Sequence, residues 1–222
     1  MDVVSLIALS MGIAWASGIN LYAAVFMLGY LANTGNLVLP ADMMVLADPL
    51  VMMAAAVMYC VEFFADKVPG LDTGWDTLHT FIRIPAGAVL AASAVGELSP
   101  AAELAAGLIG GSLAAGSHAT KAGSRLLINT SPEPFSNWGA SIGEDLLVIG
   151  GLWLALNHPI GFLVLLVLFV ALMVWLLPRL WRLIKLVLRQ IGSWLGWCAP
   201  PSKPDKDVEA PADPNPHLPK PD

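Results

Sequence analysis

Six long apolar stretches follow one another with short connections, and this arrangement limits the chain more than any other feature. They cover about residues 3–31, 50–65, 76–95, 101–118, 139–156 and 160–177. In hydrocarbon every backbone N–H and C=O must be satisfied internally, which leaves the α-helix as the natural form for such stretches. The expected fold is all-α: a polytopic membrane bundle of about six transmembrane helices over 1–178. A basic amphipathic interfacial helix over 179–198 and a disordered Pro-rich tail over 199–222 are expected to follow.

Composition agrees. Charged residues make up 13% of the chain and hydrophobic ones 57%, where a soluble domain carries about 25% charged residues. The acids behind the net charge of −6 are scattered, and no basic patch with interleaved aromatics points to nucleic acid. Cys60 and Cys198 are too far apart to form a disulfide framework or a zinc spacing. Ala14-Trp15-Ala16 resembles a cleavage site, but Met1-Asp2 lacks the positive n-region of a signal peptide, so the first stretch is read as a retained span.

A helix over all of Val3 to Leu31 would be about 44 Å long at about 1.5 Å per residue, against a hydrocarbon core of about 30 Å. The notch Ser17-Gly18-Ile19-Asn20 predicts strong tilt or a break at Gly18. Breaks at membrane depth are tolerated where protein or a wet cavity covers the backbone. Asn20 therefore either lines a path or bonds a neighbouring helix. Asp48-Pro49 and Ser99-Pro100 read as helix starts, a cap followed by proline. Pro85 deprives the Phe81 carbonyl of its helical partner and predicts a kink beside Arg83. In the fourth stretch Gly107 and Gly111 form a GxxxG pair. Such a face lets helices approach closely, within the bundle or in a homo-oligomer.

The chain carries 11 Lys and Arg residues. With six crossings, all fall at or near the side that holds the N-terminus, the two polar turns around 66–75 and 129–138, and the C-terminal helix. The positive-inside rule makes that side cytoplasmic, with both termini there. Arg179, Arg182, Lys185 and Arg189 recur at spacings of three and four between apolar residues. Such a face lies in the membrane surface and suits anionic lipid head groups.

The stretches around the two polar turns form hairpins of similar plan. Each has Lys near the exit (Lys67, Lys121), proline in the turn (Pro69; Pro132 and Pro134) and Trp at re-entry (Trp75, Trp138). Counted inward from that Trp, Arg83 reaches a depth similar to that of Glu144 and Asp145. A lone charge there is expensive, so an ion pair between Arg83 and Glu144 or Asp145 is expected, the alternative being solvated interfacial charges. Glu62 and Asp66, four apart, share a helical face. Glu62, Asp66, Asp72, Asp76 and His79 match no metal-loop spacing, and a solvated acidic turn is the expectation, with Asp76 as a helix cap. No metal, cofactor or catalytic residue is assigned. GxSxG, HExxH and P-loop motifs are missing.

The segments EFFADKVPGLDTGWDTLHTFIRIPAG (62–87) and SPEPFSNWGASIGEDLLV (131–148) resemble the paired signatures of a bacterial integral-membrane family of unknown function, over roughly residues 5–177. Ile84-Pro85 departs from that pattern, where Pro-Pro or Pro-Val would follow Arg83. The resemblance implies residence in the bacterial inner membrane. It makes Asp66, Lys67, Asp76, His79, Arg83, Ser131, Glu133, Glu144 and Asp145 the positions of interest, without supplying roles. Asn20 and Glu62 join them on the arguments above. Three functions stay open: a small transporter or channel-like protein, a membrane scaffold or assembly factor, and a membrane enzyme acting on lipid head groups. A wet cavity reaching Arg83 and Asn20 would favour the first, a dry and fully paired bundle the second. Carboxylates converging near His79 in a cavity open to lipid would favour the third.

Overall fold

A computed structural model describes residues 1–68, 70–129 and 134–194, with side chains described there except at 134 and 187–194. The described residues are helical and include no strand. Six α-helices follow in order: α1 (Val3–Asn33), α2 (Pro49–Ala65), α3 (Leu71–Val95), α4 (Pro100–Ile128), α5 (Pro134–Asn157) and α6 (Pro159–Trp194). A short 3-10 helix, Ala41–Ala47, precedes α2 and meets it at a bend of 63°. The expected Ser131 and Glu133, Cys198 and the tail lie outside the described residues.

The expected helix starts are in place. The Asp48 carboxylate accepts from the Leu50 N–H at 2.8 Å, and the Ser99 hydroxyl accepts from the Ala102 N–H at 3.1 Å. Each satisfies one of the orphan donors of a first turn, and proline follows where no donor is needed. α3 starts earlier than expected, at Leu71, so Asp76 lies inside the helix rather than capping it. Gly70, at φ 87°, precedes α3 in a backbone region that glycine enters without strain. α3 continues through Pro85 and α6 through Pro178 as single helices.

α1 is the central post, packing against α2, α3, α4 and α5, while α3 packs most extensively on α4. Small residues permit the close crossings. A Cβ on Gly18 would run into Ser117 and the Ala114 carbonyl of α4, and one on Gly110 into Ala91 of α3. Gly107 and Gly111 lie against Ala88 and Ala92 of α3 and are half-buried. Serine hydroxyls stitch these crossings: Ser17 donates to the Arg83 carbonyl at 2.9 Å, Ser10 to the Ala91 carbonyl at 2.7 Å, and Ser117 to the Trp15 carbonyl at 3.0 Å.

Burial is inverted relative to a water-soluble domain. Ile160, Val164, Leu168, Leu172 and Trp175 of α6 are exposed, whereas Arg83 and Arg125 are both 0% exposed. Water would penalise such a surface, and hydrocarbon would not. Four helices (α1, α3, the Phe135–Asn157 part of α5 and the Pro159–Leu186 part of α6) are long and apolar enough to cross a membrane, or five if the bent pair Ala41–Ala47 and Pro49–Ala65 counts as one span. α4, with its many small residues, is not among them.

Candidate functional site: a buried charge network at a broken helix

α1 breaks at Asn20, whose backbone (φ −146°, ψ 92°) is extended. The expectation of a notch thus holds, two residues beyond Gly18. The Asn20 side chain then serves as a cap inside the bundle, its Oδ1 accepting from the Ala23 N–H at 3.0 Å. Its amide donates to Asp145 Oδ1 at 2.9 Å, and the Tyr59 hydroxyl donates to Asp145 Oδ2 at 3.1 Å. The break also frees the carbonyl of Ile19, which accepts from Lys121 Nζ at 3.1 Å.

Lys121 is the hub of the site. Its ammonium lies 2.9 Å from Glu62 Oε1, 3.1 Å from Asp66 Oδ2, 3.7 Å from Asp76 Oδ1 and 3.6 Å from Glu144 Oε2. Two arginines flank it. Arg83 joins Glu62 at 2.5 Å to Asp76 at 3.1 Å. Arg125 forks onto Glu144, Nε to Oε1 at 3.1 Å and Nη2 to Oε2 at 2.7 Å, and reaches Asp66 at 3.3 Å. A bidentate fork of this kind is the strongest common form of carboxylate recognition. The network draws on α2 and the turn after it, α3, α4 and α5, with a carbonyl from α1.

The expected interhelical pairing is therefore present with different partners. Arg83 pairs with Glu62 and Asp76 rather than with Glu144 or Asp145; Glu144 pairs with Arg125, and Asp145 with Asn20 and Tyr59. Depth counted from Trp75 and Trp138 concerns only position along each helix axis and carries no information on which way each helix faces. Glu62 and Asp66 do share a face, both reaching Lys121.

The acidic turn is not solvated as expected. Asp66, Asp72 and Asp76 are all buried. Asp72 Oδ1 accepts from the Gly70 and Thr73 N–H groups at 2.9 and 2.6 Å, and Asn129, which ends α4, donates to it at 2.9 Å. Asn137 of α5 in turn donates to Asn129 Oδ1 at 2.8 Å. Asn129 and Asn137 thus tie the start of α3 to the end of α4 and to α5, and Arg125 Nη1 bonds both the Asp66 and the Asn137 carbonyls. Past the end of α2, burial pushes the Asp66 carboxyl up to about 6, against the pull of Lys121. Lys67 sits beside the network, its ammonium 2.8 Å from the centre of the Phe63 ring and donating to the Phe63 carbonyl at 3.0 Å.

The histidines are placed differently. His79 stacks on Trp75 with ring centres 4.1 Å apart, holds the Trp75 carbonyl through Nδ1 at 2.9 Å, and touches the edge of Tyr22. The carboxylates converge on Lys121, not on His79. His118 lies between Arg83 and Thr80: Nδ1 is 3.3 Å from Arg83 Nη1 and Nε2 is 2.7 Å from the Thr80 hydroxyl. An arginine only donates and the Thr80 hydroxyl donates to the Asp76 carbonyl, so this geometry assigns His118 as the neutral tautomer protonated on Nε2.

In the sequence Lys121 and Arg125 read as no more than the lead into the second polar turn, and His118, Tyr59, Asn129 and Asn137 are not among the expected site residues. The signal for the first three was available. His118, Lys121 and Arg125 are spaced three and four apart, a polar stripe on a helix otherwise rich in Ala and Gly. Among the described residues, no group of three His, Cys, Asp or Glu side chains is arranged to hold a metal ion.

A helical bundle with an apolar exterior, four or five helices fit to cross a bilayer and a charge network sealed inside defines the class: a multi-pass membrane protein. The chain belongs to the family described as Domain of unknown function (DUF4126), which matches residues 7–179. No curated protein and no solved structure matches it.

Proposed function

We propose that the chain is a small transporter of the bacterial inner membrane, seen closed, whose gate is the network around Lys121. The observation that carries this reading is the contact of the Lys121 ammonium with the carbonyl freed where α1 breaks. Interrupted helices whose unwound carbonyls meet charged groups recur at the sites of membrane transporters, and irregular backbone at membrane depth otherwise has a high cost. Six crossings, with helices 2–3 and 4–5 as two hairpins, put the polar turns and both termini on the cytoplasmic side. Arg179 and Arg182 are exposed; each donates to a helix carbonyl one turn back, and Arg179 also lies 3.4 Å over the Trp175 ring, which leaves their charge available to anionic head groups.

The test is flux. Purified protein in liposomes is loaded with pH-, cation- and anion-sensitive dyes and challenged with gradients of protons, monovalent ions and small organic solutes. Movement of at least one of these above empty liposomes, reduced tenfold or more by Arg83→Gln and Glu144→Gln, is the expected result. Liposomes as tight as empty ones across the panel would contradict the proposal. A non-transporting scaffold is the second reading, favoured by the complete burial of Arg83 and the 2% exposure of Asn20. Tight liposomes would favour it.

A further inference from the structure

The network holds more acid than base. Four carboxylates, Glu62, Asp66, Asp76 and Glu144, lie within 4 Å of Lys121, and among the described side chains the only other cations in ion-pair contact with them are Arg83 and Arg125, Lys67 lying beyond that distance from Asp66. Fully ionised, the seven groups carry one excess negative charge, in a place where Glu62, Asp66 and Asp76 are each at most 3% exposed. An uncompensated buried charge costs several kcal/mol, and a buried group commonly escapes that cost by changing protonation state. The hydrogen bonds point the same way. Both Glu144 oxygens are taken by Arg125, but Glu62 Oε2, Asp66 Oδ1 and Asp76 Oδ2 are buried without a partner. Three carboxylates in one network thus each present a bare oxygen, though ionised carboxylates seldom leave such capacity empty.

From this geometry we infer that the network binds one exchangeable proton, held on Asp66 at the cytoplasmic edge. This deepens the transport reading and rests on it for its meaning, since it names the coupling ion. A proton suits the site better than a metal cation does. Lys121, Arg83 and Arg125 already crowd the carboxylates with positive charge, and no metal-ligand grouping is present among the described residues. Asp66 is the carrier because it lies beyond the last residue of α2, where Arg125 bonds both the Asp66 and the Asn137 carbonyls. The groups facing it are Glu62 from α2, Lys67 from its own turn, Asp76 and Arg83 from α3, Lys121 and Arg125 from α4, and Glu144 from α5. The proton arrives from water on the turn side, adds to Asp66 Oδ1 and leaves the seven groups neutral. Its release restores the excess charge and favours loosening the contacts that hold the break in α1.

Infrared difference spectroscopy of the full chain in lipid nanodiscs, titrated from pH 4 to pH 8, reads the proton directly as the carbonyl stretch of a protonated carboxyl group. Wild type is expected to show one such band, lost as pH rises and shifted by 13C labelling of aspartate carboxyls. Asp66→Asn and Glu144→Gln each remove one negative charge, so both are expected to abolish the band. Asp42→Asn, at an exposed aspartate on the 3-10 helix Ala41–Ala47 outside the network, is expected to keep it. No titrating band in wild type, a band insensitive to aspartate labelling, or a band that survives both Asp66→Asn and Glu144→Gln would overturn the inference. The wild-type titration and Glu144→Gln decide the matter even where Asp66→Asn does not fold. Because the spectrum is read without flux, a titrating band with tight liposomes would retain the proton site and reject transport. Flux without the band would do the reverse.

Discussion

Lys121 Nζ and the carbonyl oxygen of Ile19 lie 3.1 Å apart, joining the last third of α4 to the residue just before the break in α1. The ammonium compensates a break that hydrocarbon would not tolerate, and the same group neutralises carboxylates from α2, α3 and α5. Lys121→Met removes the hub at similar length. It leaves the Ile19 carbonyl bare and four carboxylates sharing two arginines. Removing one partner of a buried ion pair typically costs about 3–5 kcal/mol. The variant is expected to lose most of its folded yield in detergent, with a large fall in thermal midpoint by fluorescence-detected size exclusion.

The pairing pattern makes a charge-swap experiment diagnostic. Single reversals Arg125→Glu and Glu144→Arg each place like charges together in a buried site and are expected to abolish folded protein. The double swap restores the fork and is expected to recover part of the yield; recovery stays incomplete because Arg125 also bonds the Asp66 and Asn137 carbonyls. The swap of Arg83 with Glu144 is expected to recover nothing, since Arg83 pairs with Glu62 and Asp76.

These outcomes separate what the sequence makes legible from what it does not. Apolar length and charge poverty were enough for a helical membrane bundle, and the cap-proline pairs at Asp48 and Ser99 marked helix starts correctly. The notch at Ser17 to Asn20 marked the break because glycine and asparagine are poor choices inside an apolar helix. Partner identity was not legible. Which carboxylate an arginine meets depends on helix rotation, and rotation is set by close crossings at Gly18 and Gly110 that no local pattern announces. The burial of Asp72 was hidden for a similar reason: its partner Asn129 is distant in sequence, and a polar turn looks solvated until a distant side chain is known to meet it.

Those crossings give a prediction of their own. Gly18→Ala would push a methyl group into Ser117 and the Ala114 backbone, and overpacking of this kind costs about 1–3 kcal/mol. Gly139→Ala on α5 meets open space and replaces a poor helix former, with an expected gain of about 0.5–1 kcal/mol. Thermal midpoints of the two variants in the same detergent are expected to move in opposite directions.

Asp66 gives a pH dependence. Its folded value of about 6 is raised from an ordinary value of 3.8, so between these limits the folded chain binds more protons than the unfolded one. The stabilisation is fully present below the unfolded value and is lost as pH rises through about 6. Wild type is expected to melt higher at pH 5 than at pH 7.5, and Asp66→Asn to flatten that difference. Equal midpoints in wild type at the two values would count against a raised Asp66.

The central claim is that a lysine ammonium sits inside the bundle, on the carbonyl exposed by a broken helix and among carboxylates. Solid-state NMR on the full chain in bilayers, with 15N in lysine side chains and 13C in isoleucine carbonyls and in aspartate and glutamate carboxyls, measures this contact. The account predicts one ammonium nitrogen, slow to exchange with water, dipolar-coupled to both an isoleucine carbonyl and carboxyl carbons, with the signal absent in Lys121→Met. Lysine ammonium groups that all exchange freely and couple to no isoleucine carbonyl would contradict it.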